Sequence, residues 1–208
     1  QQLLEALVKT GKPIVLVMIQ GRPLDLNWAD DNVPAILNAW YPGAQGGNAL
    51  ADIVFGDVNP SGKLPVSYPR SVGQLPVYYN TFNRRNNYTD ESAQPLYPFG
   101  FGLSYTSFSF ADMNVAQNAD SVMVSFTLAN TGDRDGAEVA QLYLRQEKAS
   151  VVRPERQLIA FEKVFLKKGE SQTVTMKLSQ EDFSFMDEKG RLRFEPSEYT
   201  LMLGASSQ

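Results

Sequence analysis

The sequence has no histidine and no cysteine. Ser-His-Asp and Cys-His catalysis are therefore excluded within this chain. Zinc sites of the usual His and Cys types are excluded as well. No disulfide can form, so cysteine usage says nothing about the redox compartment. Excess positive charge is also missing: 19 basic against 23 acidic residues leave a net charge of −4. A chain without a basic footprint is not built to neutralise phosphates, so nucleic acid is not an expected partner. There is no run of 18 apolar residues and therefore no expected membrane span. A charged n-region followed by an apolar stretch is likewise missing. The chemistry left open belongs to carboxylates, Lys, Tyr, Ser and Thr.

What is present is ordinary globular material. Of 208 residues, 43% are hydrophobic and 20% charged, far from the composition of disordered chains. That length accommodates one large or two small domains. Leu3, Leu4, Leu7 and Val8 recur at helical spacing before Gly11-Lys12-Pro13 stops the helix. No capping residue precedes them. This reads as the back half of a longer helix, and the expectation is a chain cut from something longer; a short frayed helix is the alternative. Ile14 to Ile19 is a continuous apolar run rich in β-branched residues, which predicts a strand buried on both faces. Val33 to Ala39 reads as a short helix or turn, and Trp40-Tyr41 as a brief strand. Gly46-Gly47-Asn48 opens a helix that runs from Ala49 to Phe55 and stops at Gly56, where positive φ is cheap. Alternating helix and strand is the pattern of an α/β layer.

Residues from about 69 to 107 are rich in Pro, Gly, Asn and aromatics. So long an irregular stretch is usually functional or disordered, and its aromatic density predicts packing along a surface. From about Ser107 the hydrophobic period becomes two. Val122, Val124, Phe126 and Leu128 alternate with polar residues, as do Ala140, Leu142 and Leu144. Ile159, Phe161 and Phe165 follow, then Val174, Met176 and Leu178, then Tyr199, Leu201 and Leu203. Turn signals separate these runs, so the last half reads as an immunoglobulin-like sandwich. Tyr199 is read either as a tyrosine corner or as one more core aromatic.

Few motifs carry chemistry. Gly43 to Asn48 precedes a helix but meets neither nucleotide fingerprint; a tight strand-to-helix turn is the reading. Asp133-Arg134-Asp135-Gly136 lacks the later ligands of a calcium loop and reads as an Asp-Gly hairpin turn. Asn87-Tyr88-Thr89 is a glycosylation sequon. Carboxylate pairs are the catalytic type that composition leaves open. Asp30-Asp31, Asp90-Glu91 and Glu181-Asp182 are adjacent pairs. Sequence neighbours usually point apart, so solvated charges or caps are expected, and no catalytic pair is singled out.

Several motifs occur together and in order: Gly21-Arg22-Pro23-Leu24, Ala39-Trp40-Tyr41-Pro42-Gly43, Gly46 to Asp52, Phe55-Gly56-Asp57, Asn59 to Pro65 and Tyr97 to Tyr105. Arg153-Pro154, Phe161 to Val164, Leu166 to Glu170 and Glu195 to Tyr199 continue the series. Together they resemble family 3 glycoside hydrolases, closest to the bacterial, often periplasmic, β-glucosidase type. The resemblance implies a parent with a barrel, an α/β sandwich and a fibronectin type III-like domain. This chain would hold the C-terminal part of the α/β sandwich (1–75), an aromatic-rich linker (76–106) and the β-sandwich (107–208).

It also implies a retaining exo-acting β-glucosidase with two carboxylates and no metal or organic cofactor. Both carboxylates fall upstream in the family pattern; Glu5 lies inside the first helix and is not assigned the role, so no catalytic residue is placed here. Arg84, Tyr88 and Asp90 fall where the family's loop approaches the barrel and are candidates for barrel or leaving-group-site contacts; an exposed polar loop is the alternative. The implied partners are a β-glucoside or oligosaccharide and the missing N-terminal barrel and α/β portion, in the same or a separate chain. The implied location is periplasmic or secreted. A carbohydrate-binding or purely structural β-sandwich is the competing reading.

Overall fold

The computed structural model describes residues 1–82, 90–118 and 121–208. The chain divides into two compact units. One comprises Gln1–Val58, Val66–Val77 and Asn86–Tyr97, the other Asn59–Pro65, Tyr78–Arg85 and Pro98–Gln208.

The first unit is α/β. Helix α1 (Gln2–Val8) precedes β1 (Val15–Met18), α2 (Asn27–Asn32), β2 (Ala35–Asn38) and α3 (Gly46–Phe55). β1 and β2 pair in parallel, Val15 opposite Ala35 and Met18 opposite Asn38. α3 stops where expected, with Gly56 left-handed at φ 83. Two expectations are corrected. The strand after β1 is Ala35–Asn38 rather than Trp40-Tyr41, and the helix lies earlier, at Asn27–Asn32. Pro34 forces the residue before it out of the helical region, and Val33 is extended at φ −118, ψ 120. β1 is also not buried on both faces: Val15 is 50% and Val17 37% exposed. Among the described residues this sheet has two strands, too few to cover their own faces. α1 buries none of its residues.

The second unit is a β-sandwich. β3 (Phe108–Gln117), β4 (Val122–Asn130) and β7 (Ser171–Leu178) form one antiparallel sheet in the order β3-β4-β7. β5 (Gly136–Gln146), β6 (Gln157–Leu166) and β10 (Tyr199–Gly204) form the other, in the order β10-β5-β6. A short hairpin, β8 (Phe185–Met186) with β9 (Leu192–Arg193), adds a rim. Val124, Phe126 and Leu128 meet Ala140, Leu142 and Leu144 in the core, joined by Val164, Leu166, Val174, Met176 and Leu178. The period-two pattern locates most of this core. Tyr199 plays both of its expected parts: its hydroxyl donates to the Glu195 carbonyl (2.5 Å) and its ring meets Phe183 edge-on.

Two readings change here. Phe161 and Phe165 are exposed, 68% and 61%, while Val164 and Leu166 are buried. The register between β5 and β6 slips at Ile159: Leu142 faces Ala160 but Tyr143 faces Leu158. One extra residue exchanges the two faces of a strand. Asp133 to Gly136 is not a hairpin turn, because β4 and β5 lie in different sheets. It is a corner held from outside: Asn59 donates to the Asp135 carbonyl (3.0 Å), and the Asp135 carboxylate accepts the Lys168 amide (2.8 Å).

Parts of the irregular stretch belong to the sandwich. Leu64 and Gly100-Phe101 exchange backbone hydrogen bonds of 2.8 Å. Tyr79 stacks on Phe99 (4.1 Å between centroids) and meets Tyr143 edge-on, so the linker aromatics pack as their density predicts. Gln141 donates to the carbonyls of Gly100 (3.0 Å) and Ala205 (2.8 Å) and accepts from Tyr143 (2.6 Å). At Gly100, φ is +79 and a Cβ would lie 2.1 Å from the Gln141 oxygen, so no larger residue fits. Lys63 reaches Glu138 at 2.7 Å and the Gly102 carbonyl at 3.2 Å, with both side chains nearly buried. Removing one partner of a buried pair strands the other charge, at a cost of about 3–5 kcal/mol. Lys63→Met is therefore expected to lower the unfolding free energy of the sandwich by about 3 kcal/mol. Urea denaturation followed by far-UV circular dichroism measures this, and a loss under about 1 kcal/mol would show the pair to be idle.

Candidate functional site at the carboxyl ends of the parallel strands

In α/β sheets, ligands collect beyond the carboxyl ends of the strands. In the first unit those ends are followed by Gln20 and Trp40. The backbone closes between them, with the Gln20 amide donating to the Trp40 carbonyl (3.2 Å). Beneath lies a polar cluster. The Gln20 carboxamide donates to the Tyr68 hydroxyl (2.5 Å) and more weakly to Asn38 (3.4 Å). Tyr68 is 1% exposed and packs between Trp40 and Tyr97. The Tyr97 hydroxyl donates to Asp30 (2.5 Å). Burial pushes the Tyr68 and Tyr97 phenols up, and Asp30 pushes Tyr97 further. Both phenols are therefore neutral at physiological pH, Tyr68 accepting from Gln20 and Tyr97 donating to Asp30. Gln20 Oε1 and Asn38 Nδ2 are buried without partners.

Trp40 takes a left-handed backbone, φ 51. Such a conformation is uncommon for a bulky residue and concentrates at ligand sites. Trp40 is partly exposed and Tyr41 is 78% exposed. The Tyr41 hydroxyl lies over Gly21, where a Cβ would approach it to 2.7 Å. The strand ends thus present two aromatic rings beside Arg22, which is exposed. Aromatic faces and planar polar groups suit the flat apolar face and hydroxyl rim of a sugar.

One member of each acidic pair weighed in the sequence is committed elsewhere. Asp30 accepts from Tyr97, Glu91 from Ser71 (2.8 Å), and Asp182 caps a 3-10 turn through Ser179. Asp90 is exposed; Arg84, Tyr88 and the sequon at Asn87 lie outside the described residues. Gly43 to Asn48 forms a tight entry to α3, with Gly43 at φ 70 and Gly46 against Pro42. Among the described residues no cluster of three or more His, Cys, Asp or Glu could hold a metal ion. Gln20, Asn38 and Tyr68 were not singled out from sequence. The signal available was position, just past an apolar strand.

The first 105 residues match the family model described as the glycosyl hydrolase family 3 C-terminal domain. This chain belongs to glycoside hydrolase family 3. Residues 138–207 match the fibronectin type III-like domain. A periplasmic β-glucosidase of Salmonella typhimurium is 45% identical, the alignment covering all of this chain and 29% of the relative. A β-xylosidase of Formosa agariphila is 41% identical, covering all of this chain and 30% of the relative. Among solved structures, a β-glucosidase from Erythrobacter marinus superposes with a TM-score of 0.95 at 49% identity, covering 100% of this chain and 28% of that one. A β-glucosidase from Listeria innocua in complex with gluconolactone gives 0.93 at 37% identity, covering 100% and 31%. This family 3 chain spans less than a third of the length of each of these proteins.

Two outcomes are expected. Tyr68→Phe removes the acceptor of a buried carboxamide, which costs about 1–3 kcal/mol. Trp28 and Trp40 both lie in the first unit, so tryptophan fluorescence during urea denaturation reads that loss directly. An unchanged midpoint would mean that the cluster contributes nothing. In the sandwich, Glu195 holds the turn after β5 by accepting from the Ser150 amide (2.9 Å) and hydroxyl. These bonds to Ser150 hold its carboxyl below the usual range, with Arg193 assisting. A carboxyl depressed on folding contributes stability above its unfolded value, and that contribution is lost as pH falls through its folded value. The Ser150 amide is therefore expected to be protected from hydrogen exchange at neutral pH and to lose that protection in acid, as pH falls through the lowered folded value of Glu195. Glu195→Ala, which removes the acceptor, should show the unprotected behaviour at every pH.

Proposed function

We infer that the chain is the C-terminal portion of a retaining exo-acting β-glucosidase that releases terminal β-D-glucosyl residues. In this reading it completes the wall of an active site and braces the domains around it. The observation that carries the reading is similarity over the whole of this chain to β-glucosidases at up to 49% identity, in a chain where one member of each adjacent acidic pair is taken up by a cap or a hydrogen bond. Both catalytic carboxylates belong, in this proposal, to polypeptide outside these 208 residues: a barrel carrying the nucleophile and further α/β strands carrying the acid/base. The uncovered faces of β1 and α1 support such a partner. The Salmonella relative's name supports a periplasmic or secreted location. No helix among the described residues is long and apolar enough to cross a membrane. Arg84, Tyr88 and Asp90 are retained as proposed contacts to the barrel or the leaving group. A second reading, β-xyloside hydrolysis, is favoured by the Formosa relative's name.

Retaining hydrolysis needs two carboxylates about 5–5.5 Å apart across the scissile bond, and misplacement by an ångström costs about 100-fold. The chain alone is therefore expected to give no turnover of p-nitrophenyl β-D-glucopyranoside above blank. Exchanged for the matching C-terminal segment of the Salmonella enzyme, it should support glucoside hydrolysis within about tenfold of the parent kcat/KM. Turnover by the chain alone, lost in Glu5→Gln, would contradict the assignment. A folded chimera active only on the β-xyloside would move the specificity to the second reading.

A further inference from the structure

The turn joining β5 to β6 wraps around a cavity of about 530 Å³ whose wall includes Arg145, Gln146, Lys148, Val152, Arg153 and Glu155. That volume suits a molecule of monosaccharide size. The cavity lies within the sandwich unit.

Its charges are unequally matched. Arg153 is half-buried, its guanidinium 4.7 Å from the Phe185 ring centroid, and among the described residues its side chain bonds the neutral carboxamide of Gln157, at 3.4 Å. Among the described residues no carboxylate stands within ion-pair distance of it, and its Nε has no hydrogen-bond partner. The carboxylate that most influences it, Glu195, is already taken by Ser150 and by Arg193 (3.1 Å). Lys148 likewise has no ion-pair partner among the described residues. The acids on the wall do not offset this. Glu147 is held by Arg145 (3.3 Å) and Thr200 (2.6 Å), and Glu155 is itself engaged. Gln146 is 7% exposed, and its carboxamide oxygen has no partner while its nitrogen serves the Lys148 carbonyl (3.1 Å).

A partly desolvated guanidinium without a counter-charge is costly. A planar guanidinium recognises an oxyanion in bidentate fashion. We propose that this cavity binds a small oxyanion of monosaccharide size, a sugar acid or sugar phosphate, with Arg153 as the fork and Lys148 as the second charge. The site is independent of the glycosidase reading, and its test does not use hydrolysis.

The test is a titration of the 208-residue chain, followed by amide chemical shifts, with D-glucuronate, inorganic phosphate and, as a neutral control, D-glucose. Saturable shifts confined to residues 145–157 are expected with glucuronate or phosphate and not with glucose. The tighter of the two identifies the carboxylate or the phosphate as the recognised group. Arg153→Gln should weaken binding at least tenfold. Lys148→Gln, at an exposed position that leaves the fold alone, should weaken it two- to fivefold and keeps the test decisive if the Arg153 variant misfolds. No saturation by either anion below about 20 mM, a shift far weaker than pockets of this size normally sustain, would overturn the proposal. Equal response to glucose, or unaltered affinity in both variants, would overturn it too.

Discussion

The hydrogen bonds of Gln141 are the constraint on which the sandwich unit depends. A glutamine at the middle of a strand, 3% exposed, satisfies two carbonyls far away in sequence, Gly100 and Ala205, and accepts the hydroxyl of Tyr143. Burying an amide without partners costs more than a satisfied one returns, so the strand and these two segments hold together or come apart together. Around that bond the Tyr79-Phe99 stack and the Lys63-Glu138 pair fall into place. The stretch between the two halves is, at these points, part of the sandwich.

The first unit stands differently. Its interior is small: Met18, Leu26, Ala29, Val33 and Tyr68. Its parallel pair leaves Val15 and Val17 exposed, and Ile19 just beyond it. It also keeps orphaned polar atoms at Gln20 and Asn38 and a left-handed Trp40 at the strand ends. Structures tolerate such features where stability is supplied from elsewhere. A unit with these properties is suited to finish a site that other polypeptide begins. That fits the family assignment and the fraction of its relatives that this chain spans.

Much of the fold was legible because burial imposes a period. β4, β5 and β7 follow from Val124-Phe126-Leu128, Ala140-Leu142-Leu144 and Val174-Met176-Leu178. Periodicity failed where the backbone slips: nothing in the apolar pattern of β6 marks Ile159 as the bulge that turns Phe161 and Phe165 outward. It failed again at Asp133 to Gly136, where hairpin-like residues make a corner whose anchors, Asn59 and Lys168, are distant. Nothing in the sequence marks Gln141 and Glu138 as buried, since a buried polar group is betrayed only by its partners. The strand-end cluster was hidden for the same reason: Gln20, Asn38 and Tyr68 meet only after the sheet forms. The order of family motifs, by contrast, was fully visible along the chain.

The central proposal is that the sandwich is self-sufficient while the α/β unit is completed by other polypeptide. Native-state hydrogen exchange of the 208-residue chain tests it most directly. Amides of β4 and β5 should exchange only by global opening of the sandwich, and those of α1 and β1 at least a hundredfold faster, by opening of the first unit alone. Protection of Val15 to Met18 as strong as that of Val122 to Leu144 would contradict the account.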